Sequence, residues 1–407
     1  MSTHTLHAGS AHAAAAVPSR RWMVRLYRAA LNRFLLLPLG AVIAVIWANV
    51  DPEPYFRFAH AAAFPVNEIA MAFFLALIAQ ELYEALMRGG DLHHWHHRSA
   101  AVIAAAGGLA GSVVVFMLFI GQQGEQMLAA GWPVVAAVDI AAGYYVMRLI
   151  YPHRNSATTF VLLTAVVTDV IAITVVTLQA PDFNLHAGGI GLLLLALVGA
   201  VVLHRRTVRS FWPYLFGIGA VSWAAFYWMG IHPALALIPI VPFMPHDPRH
   251  GRDVFADRPD DDDPIHYAEH EWSAVAQVAL FLFGLVNGGV ILKHADTGTW
   301  AVLIAALIGR PAGIVIAVAM ALSVGLRLPR RMHWRDLLVA ALATSSGFTF
   351  ALFVAGVALP IGAVAGQMTV GALATAFGAV ITVLAAWRLG AGRFSSPHQA
   401  RGTWHSG

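Results

Sequence analysis

Apolar stretches recur along the whole chain, separated by short polar segments that hold most of its arginines. They fall near residues 33–50, 66–87, 100–120, 132–149, 157–178, 187–203, 211–229, 231–245, 272–292, 299–325, 336–359 and 364–387. A helix needs about 20 consecutive apolar residues to cross the bilayer hydrocarbon. The pattern therefore predicts an all-α integral membrane protein with about twelve transmembrane helices. The stretch 231–245 is short and rich in proline, so the division near Gly230 is the least regular part of the pattern.

Composition agrees with the pattern. Of 407 residues, 59% are hydrophobic and 11% charged, and a soluble domain carries about twice that charged fraction. Little chain is left for a soluble catalytic domain. We divide it into a tail (1–30), a single membrane transport domain (31–390) and a second tail (391–407). Residues 1–19 lack the apolar core of a cleavable signal peptide, and His4, His7 and His12 read as part of a partly disordered tail. Across residues 20–34, arginines alternate with Trp22, Leu26, Tyr27 and Leu31. That segment suits an amphipathic helix on the membrane surface or a simple basic flank. The absence of cysteine excludes disulfides, thiolate metal sites and cysteine nucleophiles.

Charge distribution sets orientation. Of the 25 basic residues, 22 fall in the tails and in alternate loops, while the opposite loops hold only Arg57 and Lys293. By the positive-inside rule both termini are expected in the cytoplasm. The basic balance is then a topogenic signal, and nucleic acid has no place as a partner.

Within the spans, ionisable residues are few because each costs at least about 2.5 kcal/mol at the bilayer centre. They are Glu81 and Glu84 late in span 2, Asp139 in span 4, Asp169 in span 5 and Arg310 in span 10, with Glu68 at the start of span 2. Asp169 and Arg310 fit either a pair that holds two helices together or an ion or proton pathway. Spans 4 and 11 also look broken. Span 4 runs Gly131-Trp132-Pro133 to Val138-Asp139, and span 11 contains Thr344-Ser345-Ser346-Gly347-Phe348. Small and hydroxyl residues permit unwinding at mid-membrane where the freed backbone lines a cavity. Half-helices ending there would point dipole ends inward, with Asp139 suited to the positive ends and Arg310 to the negative ones. Spans 3–5 and 10–12 would form inverted-topology repeats, with the broken spans in matching places.

Taken together, these residues resemble the NhaA family of bacterial sodium/proton antiporters, over roughly residues 30–390. The matching stretches are Val66-Asn67-Glu68 through Glu81, Gly131-Trp132 through Asp139-Ile140, and the end of span 5 around Asp169. Further on come Gly230-Ile231-His232-Pro233-Ala234-Leu235-Ala236, Asn287-Gly288-Gly289-Val290, Leu307-Ile308-Gly309-Arg310-Pro311-Ala312-Gly313 and Gly347-Phe348-Thr349. The resemblance implies inverted repeats with broken helices, exchange of Na+ or Li+ for H+, a role in pH homeostasis, and a place in the bacterial inner membrane. It makes Asp169 the cation- and proton-binding carboxylate and Asp139 its neighbour at the crossing, and we take Asp169, Thr168 and Asp139 together as the cation- and proton-binding candidates. Val138, Ser346 and Gly347 become broken-helix backbone, and Arg310 the intramembrane base. Glu81, Glu84, Glu68 and His93 are pH-response candidates. A homodimer is compatible with the family, and no cofactor is expected.

The chain departs from the family where an Asp-Asp pair, a lysine and a Thr-Asp are typical. Here stand Thr168-Asp169, Arg310 and Val138-Asp139. Arginine stays charged and threonine does not titrate, so these departures predict electroneutral exchange at Asp169 with Thr168 as a neutral ligand. They also keep open a transporter of this fold with another substrate or coupling, and a transport-inactive sensor or assembly partner. His93, His94, His96 and His97 are read first as a solvated loop, with pH sensing or metal binding as alternatives. His232 reads as structural and Asp260–Asp263 as solvated chain. No phosphate loop, nucleotide fingerprint or hydrolase triad stands out, so the expectation is a secondary transporter and not an enzyme.

Overall fold

In hydrocarbon a backbone can bond only to itself, so long runs of Ala, Leu, Val and Gly close into helix. The computed structural model describes residues 36–86, 95–151, 155–179, 186–208, 210–244, 277–326, 328–329, 332–359 and 362–395. Among them the protein is helical throughout, with no strand. The helices are α1 (Leu36–Val50), α2 (Pro52–Phe64), α3 (Met71–Leu86), α4 (Trp95–Gln123), α5 (Trp132–Ala136), α6 (Ile140–Ile150), α7 (Ser156–Gln179) and α8 (Ala187–Arg205). They continue with α9 (Ala220–Trp228), α10 (Gln277–Asn287), α11 (Thr297–Ile304), α12 (Arg310–Ser323), α13 (Trp334–Ala343), α14 (Phe348–Ala358), α15 (Ala363–Ala374) and α16 (Phe377–Arg388).

Six helical stretches among the described residues are long and apolar enough to cross a membrane: Pro52–Ala76, Ser99–Gln123, Ala187–Arg205, Thr297–Ser323, Trp334–Gly356 and Ala363–Phe394. Shorter apolar helices lie at Leu36–Val50, Ser156–Ala172 and Gln277–Asn287. Two expectations need correction. The stretch 231–245 does not form a helical span. It folds as tight turns around Pro233–Leu235 and Val241–Phe243, because prolines at 233, 239 and 242 remove the donors a helix needs. Glu68 also lies well inside a helical run, not at its start. That run begins at Pro52 and passes through a wide turn at Pro65–Ala70.

The core is pinned by backbone contact between α4 and α12. A Cβ added at Gly111 would lie 2.3 Å from the Gly309 carbonyl oxygen, and one at Gly313 would lie 2.1 Å from that of Gly107. No side chain fits at Gly111 or Gly313; small residues four apart let two backbones meet. Gly111→Val is expected to lower the melting temperature in detergent, because overpacking costs about 1–3 kcal/mol. Gly121→Val is the control, since nothing lies within 4 Å of a Cβ there. Equal melting of the two variants would remove this seam from the account.

The ends of α6 and α13 are tied together. Tyr151 donates to Asp336 Oδ1 (2.6 Å), and the His333 amide donates to Asp336 Oδ2 (2.9 Å). Burial, and then the neighbouring carboxylate, push the Tyr151 phenol well above its usual range, so it remains a proton donor.

Candidate functional site

Helix α5 stops at Ala136 and α6 starts at Ile140, with Ala137 and Asp139 extended between them. Helix α13 stops at Ala343 and α14 starts at Phe348. At 1.5 Å per residue, α5 and α6 are roughly 8 and 17 Å long, and neither crosses a hydrocarbon core of about 30 Å alone. The local chemistry explains both interruptions. Aspartate is a strong N-cap, and Asp139 Oδ1 accepts from the Ala142 amide at 2.9 Å to start α6. Serine and threonine hydroxyls compete for helical carbonyls. Thr344 and Ser345 donate to the carbonyls of Ala341 and Leu342, each at 2.7 Å, and so finish α13.

The two interruptions touch. The Asp139 amide donates to the Ser346 carbonyl at 2.8 Å. Gly347 is required here: a Cβ would sit 2.7 Å from the Ala137 carbonyl oxygen.

Charge meets three of the four helix ends. Asp139, 2% exposed, caps α6 with one oxygen. Its other oxygen accepts from the Thr349 amide (3.2 Å) and the Thr349 hydroxyl, at the start of α14. One carboxylate thus faces the positive ends of two helices, and both its oxygens are engaged. Arg310, also 2% exposed, donates through Nη2 to the Val135 carbonyl at the negative end of α5. Its Nε and Nη1 are buried without a partner. It forms no ion pair among the described residues. The end of α13 is closed by Thr344 and Ser345 and not by Arg310, so the base serves one negative end where two were expected.

Asp169 comes from the neighbouring helix α7. Its Oδ1 accepts from the Val138 amide at 2.9 Å, and its Oδ2 is buried without a partner. The Thr168 hydroxyl donates back to the Thr164 carbonyl at 2.7 Å, which leaves oxygen lone pairs to spare. Ser346 Oγ is likewise buried without a partner.

The structure therefore brings Asp139, Val138, Asp169, Arg310, Ser346 and Gly347 together around one crossing. Glu68 belongs to another pair, its Oε1 lying 3.4 Å from His232 Nε2. Glu81 and Glu84 lie on α3, but their side chains, like His93, are outside the described residues. Sequence reasoning missed Thr349, Thr344, Ser345 and Thr375 as individual actors. The last accepts from the Gly347 amide at 3.1 Å. The hydroxyl run before Gly347 was the signal for Thr344 and Ser345; nothing marked Thr375.

A family model described as Na+/H+ antiporter 1 matches residues 26–388. The chain belongs to the Na+/H+ antiporter 1 family. The matched segment contains both interruptions and all of Asp139, Asp169 and Arg310. Among relatives, the Na(+)/H(+) antiporter NhaA of Desulfitobacterium hafniense (strain Y51) is 38% identical over 354 residues, 85% of this chain and 91% of that one. The Na(+)/H(+) antiporter NhaA 2 of Pelobacter propionicus is 37% identical over 366 residues, covering 87% and 96%. In fold, the chain is similar to the sodium proton antiporter MjNhaP1 of Methanocaldococcus jannaschii, with a TM-score of 0.59 at 16% identity. That likeness covers 91% of this chain and 95% of the other. The family, these relatives and the apolar helices together make this a multi-pass membrane protein and a divergent member of the NhaA group.

Proposed function

We propose that this protein is a secondary active antiporter that exchanges Na+ or Li+ for H+ at Asp169. The observation that carries the reading is the unpartnered, buried Oδ2 of Asp169 beside two touching helix interruptions. A hard cation needs the ionised carboxylate, so proton and metal compete for the same oxygen. Alternating access turns that competition into exchange. Thr168 and nearby backbone carbonyls supply neutral oxygens, while Asp139 acts in charge compensation because helix ends occupy both its oxygens. Arg310 holds its charge throughout the cycle. The site then carries either one proton or one monovalent cation, and turnover moves no net charge. The reading places the protein in a bacterial inner membrane with both termini cytoplasmic.

The test uses purified protein in liposomes with a trapped pH dye. Added Na+ or Li+ is expected to move protons, and an imposed membrane potential without an ion gradient to move none. Silence with Na+ and Li+ would sink the antiporter reading; a response to K+ alone would point to another substrate. A signal driven by voltage would refute electroneutrality.

A further inference from the structure

Each interruption leaves an amide that no helix can satisfy. At the first, Val138 N–H is taken by Asp169 Oδ1 on α7. At the second, Gly347 N–H is taken by Thr375 Oγ1, which follows α15 (3.1 Å). The two arrangements are counterparts: a side chain from the next span in sequence holds the open backbone of the broken one.

Three features make Thr375 a built support. Its side chain is buried, at 2% exposure. Its hydroxyl proton is committed to the Ala372 carbonyl at 2.6 Å, which leaves a lone pair for Gly347. The chain also turns at this point, since α15 ends at Ala374 and α16 begins at Phe377. Gly378 then passes close to the interruption, where a Cβ would lie 3.2 Å from the Ser346 nitrogen.

The counterparts differ in chemistry. A hydrogen bond to a carboxylate is roughly twice as strong as one between neutral groups, so the hold of Asp169 on Val138 depends on its charge. The hold of Thr375 on Gly347 does not. We propose that Thr375 is a positioning residue of the exchange site, the charge-independent anchor that fixes the second interruption while the first yields as Asp169 loads and unloads. The proposal rests on the antiporter reading for its transport consequence and on geometry alone for the anchor.

The experiment compares Thr375→Val with Thr375→Ser in the full-length protein. Valine keeps the branched shape and removes the acceptor; serine restores the oxygen. Hydrogen exchange at the Gly347 amide is expected to rise at least ~10-fold in the valine variant and stay near wild type in the serine variant, since a lost buried bond is worth roughly a tenfold change. In liposomes, Thr375→Val is expected to raise KM for Na+ at least ~5-fold with a smaller change in kcat, and serine to rescue it. Thr375→Ala reads the same quantities should valine disturb packing. Wild-type exchange at Gly347 in both variants lacking the oxygen would overturn the anchor. An unchanged KM, or a serine variant as impaired as valine, would overturn the positioning role. A wild-type protein that moves no cations would end the antiporter reading while the amide measurement still decides the anchor.

Discussion

Asp169→Asn is expected to reduce cation-driven proton movement to the level of protein-free vesicles. The substitution is nearly isosteric, and the asparagine carbonyl can still accept from the Val138 amide, now held by Asp169 Oδ1 at 2.9 Å. What disappears is the charge and with it the ability to bind a proton. Asp139 cannot readily substitute, because Ala142 and Thr349 already occupy both its oxygens. The loss of a charged ligand is worth up to about 3 kcal/mol, which converts to a loss of affinity of roughly 100-fold. The check is the dye assay, run beside a melting curve that verifies the fold. An asparagine variant that still exchanged Na+ for H+ would mean that the ion binds elsewhere.

Arg310→Met is expected to abolish exchange with little change in thermal stability, and Arg310→Lys to retain part of the activity. The energetic argument has two sides. Methionine leaves the buried Val135 carbonyl without its donor, a cost of about 1–3 kcal/mol. It also removes a buried guanidinium whose Nε and Nη1 have no partner, and a buried charge without a partner carries a large desolvation cost. The two act in opposite directions, so stability alone does not explain why a full charge sits here. On the antiporter reading, the charge is kept for the exchange site and for the negative end of α5, whose Val135 carbonyl it holds. A large fall in melting temperature with exchange intact would make Arg310 a structural prop.

The sequence made some of this legible for identifiable reasons. Charges stand out in an apolar chain, so Asp139, Asp169 and Arg310 were visible from composition alone. The interruptions were visible because Asp139 is a good N-cap and because Thr344-Ser345-Ser346-Gly347 combines hydroxyls with a glycine. The choice of Asp169 over the other carboxylates came from the family resemblance and not from spacing. Other features could not be read this way. Thr349 reaches Asp139 across 210 residues, and no local pattern reports such a contact. Thr375 looks like any threonine in an apolar helix until the Gly347 amide is placed beside it. The eighth span failed because hydropathy counts proline-rich apolar chain as if it could still be helix.

The seam between α4 and α12 bears on how such a molecule can work. Side chains rotate and repack when helices slide, but carbonyl oxygen against Cα has no rotamers to exchange. Gly107 against Gly313, and Gly111 against Gly309, therefore behave as a weld. One welded helix leads in sequence to the first interruption and the other to the second. Arg310 starts the second of them and reaches the carbonyl of Val135. A Cβ at Gly108 would lie 2.8 Å from Ile314 Cγ1, so the glycine run that makes the weld also seats an apolar side chain of the second helix. The weld and the buried Arg310 thus belong to one helix. The moving parts of the cycle are then sought in the segments that pivot around it.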